Sequence, residues 1–497
     1  MSRAYEQLAP YMERAQAFQT AMILFEWDNE TLAPEEAAPF TAKMVGAISE
    51  EYFKVVTDER VKELISECKE DDTLTEVEAA IVREMAETVE RLEVIPANEY
   101  REFTELCAES GGIWAKARRD KDFQAFAPTL KKVIEYQKKF ASYRAKEGQK
   151  IYNVMLDDYE KGFDMDTLDE FFKTLRGQLV PFLKNLMDNG IEIEDGFLRG
   201  DYPEEKQEEL GRFLAAYVGF DFKKGVMGTS AHPFTTGLHN HDVRITTHYT
   251  DKLDESIFSV IHESGHAIYS FGIPDELTQT PVGEGTSMGM DESQSRFFEN
   301  YIGRNEAFWK PLYEKIQQTF PKQLGGVSRE QFVKAINKVE PGFIRTQADE
   351  LTYSLHVMVR YEIEKMLIEE DLDVDKLPEI WADKYEEYLG IRPADVSVGV
   401  LQDIHWSQGA FGYFPSYALG SAFGAQFLAS MKKELDFEKL LCKGDVTTIR
   451  EYLRKNIHQY GKLKDSRQII KDVTGEDFNP QYYVDYLIEK YSKIYEI

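Results

Sequence analysis

The sequence predicts a mainly α-helical protein with one small β element near its middle, and three stretches of text predict it. From Tyr5 to about Lys184, apolar residues recur at three- and four-residue spacing, the period of an amphipathic helix. Between Val226 and Tyr249 that texture breaks, and Gly, Pro, Thr and four histidines replace the Glu/Lys background. From about Asp251 the helical period returns and dominates to Ile497.

In the first stretch glycine is sparse and Glu, Lys and Arg fill the positions between the apolar ones, so this half reads as helical scaffold. Asn189-Gly190 and Asp195-Gly196 interrupt it, and Asp201-Tyr202-Pro203 leads into a further helix. No low-complexity linker or internal repeat appears, so one continuous domain over residues 1–497 is expected. Its scaffold would run to about residue 225, and the chemistry-bearing segments would lie within 226–420. In the middle stretch Val243-Arg244-Ile245-Thr246 alternates as a short strand does. The last stretch is broken at Gly272-Ile273-Pro274, Gly325-Gly326, Pro341-Gly342 and Gly409 to Pro415, which divides it into successive helices.

Composition excludes several classes of partner. Lys+Arg number 59 against 89 Asp+Glu, and the formal net charge of -30 repels nucleic acid and anionic lipid. Cys68, Cys107 and Cys442 are far apart and form no CxxC pair, which argues against a disulfide framework and a thiolate metal site and suits a reducing cytoplasm. The opening residues lack a basic region, and the apolar run Ala21–Phe25 is short, so no signal peptide is expected. Phe213–Phe220 and Ala418–Ala429 are too short or too interrupted to span a bilayer.

The chemistry is concentrated in His262-Glu263-Ser264-Gly265-His266, an H-E-x-x-H pattern. Its flanks place it on a helix. Thr250 and Asp251 offer a cap, Asp254 and Glu255 suit a first turn, and Ile257, Ile261 and Ile268 form a buried stripe that ends before Gly272. Residues four apart share a helix face, so both imidazoles can reach one ion while Glu263 projects toward its open position. A catalytic ion needs a third protein ligand. The helical text from Met288 to Gly303 supplies Glu292, with Glu284 and Asp291 as rivals.

Two further polar groups deserve weighing. A helix expected after Pro341-Gly342 carries Arg345, Asp349, Tyr353 and His356 on one stripe, where Arg345 and Asp349 form either an ordinary one-turn ion pair or part of a site. Gly399 to Trp406, which includes His405, and Gly412 to Tyr417, which includes Tyr413, mix aromatic and hydrogen-bonding groups that suit either substrate contact or a satisfied core.

Taken in order, these segments resemble the carboxypeptidase Taq family of metallocarboxypeptidases. The resemblance is carried by Trp27-Asp28 with Thr31 and Pro34, His232-Pro233-Phe234, Asp242 to Thr246, His262 to His266, Glu292-Ser293-Gln294, Ile344-Arg345 with Ala348-Asp349, and Gly399 to Trp406. One departure is Asp291, where that family usually has histidine before its ligand glutamate.

The resemblance implies a helical fold of the neurolysin and angiotensin-converting-enzyme type, with a deep groove and a small sheet beside the metal. It implies Zn²⁺ held by His262, His266 and Glu292, with Co²⁺ or Mn²⁺ as substitutes, and Glu263 as general base. It points to His232 and Tyr413 as oxyanion donors, and to Arg345, then Arg244, as the cation for the substrate's terminal carboxylate, with Tyr417 and His405 nearby. The expected activity is release of single C-terminal residues from peptides by a cytoplasmic homodimer. The alternatives are a neurolysin-type oligopeptidase cutting internal bonds, and a helical binding scaffold without catalysis.

Overall fold

A computed structural model describes residues 3–497, in which helix accounts for 70% and strand for 4%. The first helices are α1 (Arg3–Thr31), α2 (Ala38–Val56), α3 (Glu59–Lys69) and α4 (Glu76–Glu93). They are followed by α5 (Ala97–Asp120), α6 (Phe123–Arg144), α7 (Ile151–Asp157), α8 (Met165–Asn189) and α9 (Glu204–Val218). Local chemistry explains many of the starts. Asp58, Asp122 and Asp164 each accept a backbone N–H at the first turn, and Thr75 with Glu78 forms a reciprocal capping box.

The predicted β element is a three-stranded sheet of β1 (Gly225–Thr229), β2 (Thr235–His239) and β3 (Asp242–Thr247). Strand order is β1-β3-β2, with β1 parallel and β2 antiparallel to β3. Met227, Val243 and Ile245 pack with Val260 and Ala267 of α10 (Leu253–Gly272), so the sheet lies directly on the helix that carries the metal motif.

Next come α11 (Met288–Arg296), a π-helical segment Phe297–Gly303, and the short helices α12–α15 between Glu306 and Ala335. Beyond these lie α16 (Glu350–Glu369), α17 (Leu377–Leu389), α18 (Pro415–Glu434) and α19–α22 between Phe437 and Tyr495. Where the sequence suggests a helix straight after Pro341-Gly342, the chain forms only a 3₁₀ turn at Arg345–Gln347, and α16 starts after Asp349. Asp349 is the cap of α16, accepting from the backbone of Leu351 and Thr352.

One large core unites residues 117–218 with most of 253–495. A separate, smaller core joins α1–α4 to Ile273, Leu277 and Val282. Between the two runs a groove of about 1600 Å³, with α1 and α4 on one wall and β2, α10 and α11 on the other. Among the described residues no helix is long and apolar enough to cross a membrane.

Candidate metal centre

α10 opens at Leu253. Lys252 precedes it without a side-chain cap, and Thr250 accepts from the Lys252 N–H, so the cap expected of Thr250 and Asp251 lies one to two residues ahead of the position that starts the helix. The predicted stripe holds: Ile257, Ile261 and Ile268 are buried. That stripe turns the opposite face of α10 to the groove, and His262, Glu263 and His266 border it.

His262 and His266 present their Nε2 atoms to a single carboxylate oxygen, Glu292 Oε2, at 3.7 Å each. Ligand atoms about 2.0–2.2 Å from a tetrahedral ion stand roughly 3.3–3.6 Å apart, so a slight contraction suffices to seat one. No other group of three His, Cys, Asp or Glu side chains with this convergence exists among the described residues. The donor set of two imidazoles and one carboxylate suits a divalent ion with one position left open. Glu284 lies outside this group and pairs with Lys462 at 2.6 Å.

Two glycines make this convergence sterically feasible. A Cβ on Gly265 would lie 2.7 Å from Ser295 Cα and 2.8 Å from the Gln294 carbonyl oxygen, so α10 and α11 cross at backbone contact there. On the other side of α11, a Cβ on Gly420 would lie 2.7 Å from Glu292 Cβ. Glu292 is therefore held between α10 and α18, with its carboxylate steered by Arg296 at 2.7 Å and Ser295 at 3.1 Å.

The outer nitrogen of each histidine faces a carboxylate. His262 Nδ1 lies 2.8 Å from Glu299 Oε2, and His266 Nδ1 lies 2.8 Å from Asp291 Oδ2. The His262 contact is a hydrogen bond, which fixes that tautomer and makes its inner nitrogen a better metal ligand, whereas the His266 contact is a close ionic approach without hydrogen-bond geometry. The two supports differ. Glu299 is buried in the π-helical segment and receives Arg296 and Arg304. Burial would raise its pKa, but those guanidinium groups and His262 hold the carboxyl well below the usual range. Asp291 is 38% exposed at the groove and has no arginine partner. Burial disfavours the His266 cation, yet Asp291, Glu263 and Glu292 together draw its pKa up to about 9, a measure of how strongly the cluster favours positive charge.

Glu263 is aimed by a residue from the sheet. Thr235 on β2 donates its hydroxyl to Glu263 Oε2 at 2.6 Å. Further along the groove stand Tyr413 and Tyr417, their rings edge to face at 5.1 Å. Burial pushes the Tyr413 hydroxyl up to about 12, which keeps it a proton donor at neutral pH.

The other expected site residues lie outside the groove lining. His405 Nε2 is 3.4 Å from the Tyr417 hydroxyl, and burial, with Arg345 adding, lowers its pKa to about 4, so the ring is neutral. Arg345 is buried and pairs with Asp403 through Nε at 3.1 Å and Nη2 at 2.9 Å, which replaces the expected Asp349 partner. Its guanidinium lies 4.6 Å from the Tyr417 ring centroid, one layer behind the wall. Arg244 is taken by both oxygens of Asp242 and stacks over Trp27. His232 is exposed in the β1–β2 loop, where its carbonyl accepts from Ser230 at 2.6 Å.

Comparison with known proteins gives the family. A family profile described as carboxypeptidase Taq (M32) metallopeptidase matches residues 7–491. The chain belongs to that family. Carboxypeptidase 1 of Bacillus subtilis (strain 168) is 40% identical over 487 residues, 97% of each chain. Thermostable carboxypeptidase 1 of Thermus thermophilus is 34% identical over 506 aligned positions, 99% of each chain. The crystal structure of the M32 carboxypeptidase from Deinococcus radiodurans R1 matches with a TM-score of 0.96 at 32% identity and covers 100% of both chains.

The chain is thus a metal-dependent carboxypeptidase of the M32 family, mainly helical and acting on peptides. Three contributors to its centre escape sequence reasoning: Thr235, Arg296 and Glu299. Thr235 reaches Glu263 across the sheet-to-helix packing, so no helical period relates them. Arg296 and Glu299 are four and seven residues beyond Glu292 on the same helical run. That spacing was a readable signal that they share its face.

Proposed function

We propose that this carboxypeptidase uses Zn²⁺, held by His262, His266 and Glu292, to release single C-terminal residues from peptides with broad specificity. The observation that supports the reading best is the convergence of those three donor atoms in a groove where Glu263 stands beside them. Such an ion would polarise the scissile carbonyl and lower the pKa of a water molecule toward neutrality, so that Glu263 can deprotonate it for attack. Co²⁺ or Mn²⁺ would serve in the same donor set.

Glu263 takes the proton of the attacking water and returns it to the departing amine. Thr235 holds the carboxylate in that position by its 2.6 Å hydrogen bond. The Tyr413 hydroxyl donates to the developing oxyanion, with Tyr417 edge-on to its ring. His232 would join only if the β1–β2 loop turned it inward.

The terminal carboxylate is met at the Tyr417 end of the groove, and Arg345 supplies the positive charge behind that ring, with His405 neutral beside it. Arg244 is the second candidate. The family resemblance supports a homodimer and one peptidase domain over residues 1–497. The few dispersed cysteines support a cytoplasmic setting.

The test is a pair of peptides identical except for a free-acid or an amidated C-terminus. Sequential release of single amino acids from the free acid, abolished by chelator and restored by Zn²⁺, is the expected outcome. Internal fragments would overturn the exopeptidase reading in favour of an oligopeptidase. Arg345→Ala should reduce the preference for acid over amide by less than the roughly ten- to a hundredfold that a direct charge-assisted contact of about 1.5–3 kcal/mol is worth, because Asp403 offsets its charge and the Tyr417 ring stands between it and the groove. Equal losses on both peptides would remove Arg345 from substrate recognition.

A further inference from the structure

Glu364 is fully buried in α16 and belongs to neither the donor set nor the groove lining. Burying a carboxylate costs several kcal/mol unless donors surround it, and here three do. The Tyr152 hydroxyl donates to Oε2 at 2.7 Å, the Trp406 indole N–H to Oε1 at 2.7 Å, and the Gly412 N–H to Oε2 at 2.8 Å. The donors come from separate parts of the chain, and two of those parts end at the groove.

Tyr152 lies in α7, which leads directly into Asp158 and Tyr159 on the groove wall. Gly412 immediately precedes Tyr413. The Tyr159 and Tyr413 rings then meet edge to face at 5.1 Å. Gly412 has φ +88°, and a Cβ there would lie 2.7 Å from the Met155 carbonyl oxygen, so the turn before Tyr413 rests on the backbone of α7. Only glycine fits such a turn. The carboxylate of Glu364 bonds both halves of this junction through the same oxygen.

We infer that Glu364 is a positioning residue: it fixes α7 against the 404–412 loop and thereby sets where the Tyr413 hydroxyl stands in the groove. The inference rests on Tyr413 acting as oxyanion donor, as proposed above. Glu364→Gln preserves volume but replaces one acceptor oxygen by a donor, so a donor of the triad must lose its partner.

A double-mutant cycle tests this on the metal-loaded enzyme with a free-acid peptide. Tyr413→Phe alone should lower kcat about a hundredfold, as loss of one oxyanion donor does. Glu364→Gln alone should lower kcat about tenfold through misplacement, with KM and metal content unchanged. Combined with Tyr413→Phe, it should cause no further loss, because a displaced hydroxyl that is already absent cannot be displaced. An equal loss in both backgrounds, or wild-type kcat for Glu364→Gln, overturns the positioning role. Wild-type kcat for Tyr413→Phe overturns the oxyanion assignment itself, a separate outcome. Should Glu364→Gln fail to fold, Tyr152→Phe removes one donor and leaves the carboxylate in place, and the same cycle is read on it.

Discussion

The two walls of the groove are built differently. On the N-terminal side, α1 buries only Ala4, Leu8 and Trp27 of its 29 residues, and Leu24, Leu32, Phe40 and Met44 of α1, α2 and their connection stay exposed. On the catalytic side, α18 buries 15 of its 20 residues and meets α11 where glycine alone fits. Dense packing leaves a side chain few places to go, so donor atoms can be held to tenths of an ångström. A helix with few buried contacts opens locally at low free energy. The His–Glu cluster is therefore anchored in the densely packed wall, while the opposite wall is held by far fewer buried side chains.

The sharpest test of that division compares carboxylates on the two walls. Glu263→Gln should lower kcat/KM by about 10²–10⁴, the usual contribution of a general base, with metal content unchanged. Glu26→Gln, on the α1 wall of the same groove, should leave kcat as it was. Normal turnover in metal-loaded Glu263→Gln would remove it as the base. A large kcat loss from Glu26→Gln would show that both walls take part in the chemistry.

A second test concerns how the metal is held within the catalytic wall. Replacing an outer-shell partner typically weakens metal binding 10–100-fold. Glu299→Gln should lie at the upper end, since it leaves Arg296 and Arg304 buried without their counter-charge. Asp291→Asn should lie at the lower end, because Asp291 is partly exposed and clamped by no arginine. Zinc affinity measured by competition with a chelator ranks them. The reverse order would mean that the groove-facing carboxylate dominates His266 and the metal with it.

Much of this was legible in the sequence because the motif is local. His262, Glu263 and His266 lie within one turn and a half of a helix, and the buried isoleucines fix its orientation. Glu292 was one of three acidic candidates, and the family resemblance chose among them; in the structure Glu292 converges with the two histidines, while Asp291 lies against His266 Nδ1 and Glu284 pairs with Lys462. Of the two roles the sequence left open for Arg345, the ion pair with Asp349 is not the one formed: its partner is Asp403, which lies far along the chain where no spacing rule reaches. The helix expected around Arg345 begins later for a local reason, since Asp349 is a good cap and its side chain competes for the N–H groups that start α16.

The next contrast uses one chemical change at two sites. Gly265→Ala adds a methyl group 2.7 Å from the backbone of α11, which cannot shift without moving Glu292. Overpacking of this kind costs about 1–3 kcal/mol, and here zinc affinity should fall with stability. Unchanged stability and affinity would show that α10 and α11 cross less closely in solution than in the structure.

Gly46→Ala is the counterpart on the other wall, and its expected effect is the smallest and of opposite sign. Gly46 is exposed inside α2, and an added Cβ would meet nothing within 4 Å. Alanine there loses less backbone freedom on folding, which favours the helix by about 0.5–1 kcal/mol. If α1–α4 open independently of the body, that gain should appear as slower hydrogen exchange in α2 and its neighbours only, with exchange in α10, α11 and α18 unchanged. Zinc affinity and kcat should also stay as they are. Slower exchange in α10 and α11 as well would mean that the two cores unfold as one unit, joined through Ile273, Leu277 and Val282, and the N-terminal wall would then be as fixed as the catalytic one.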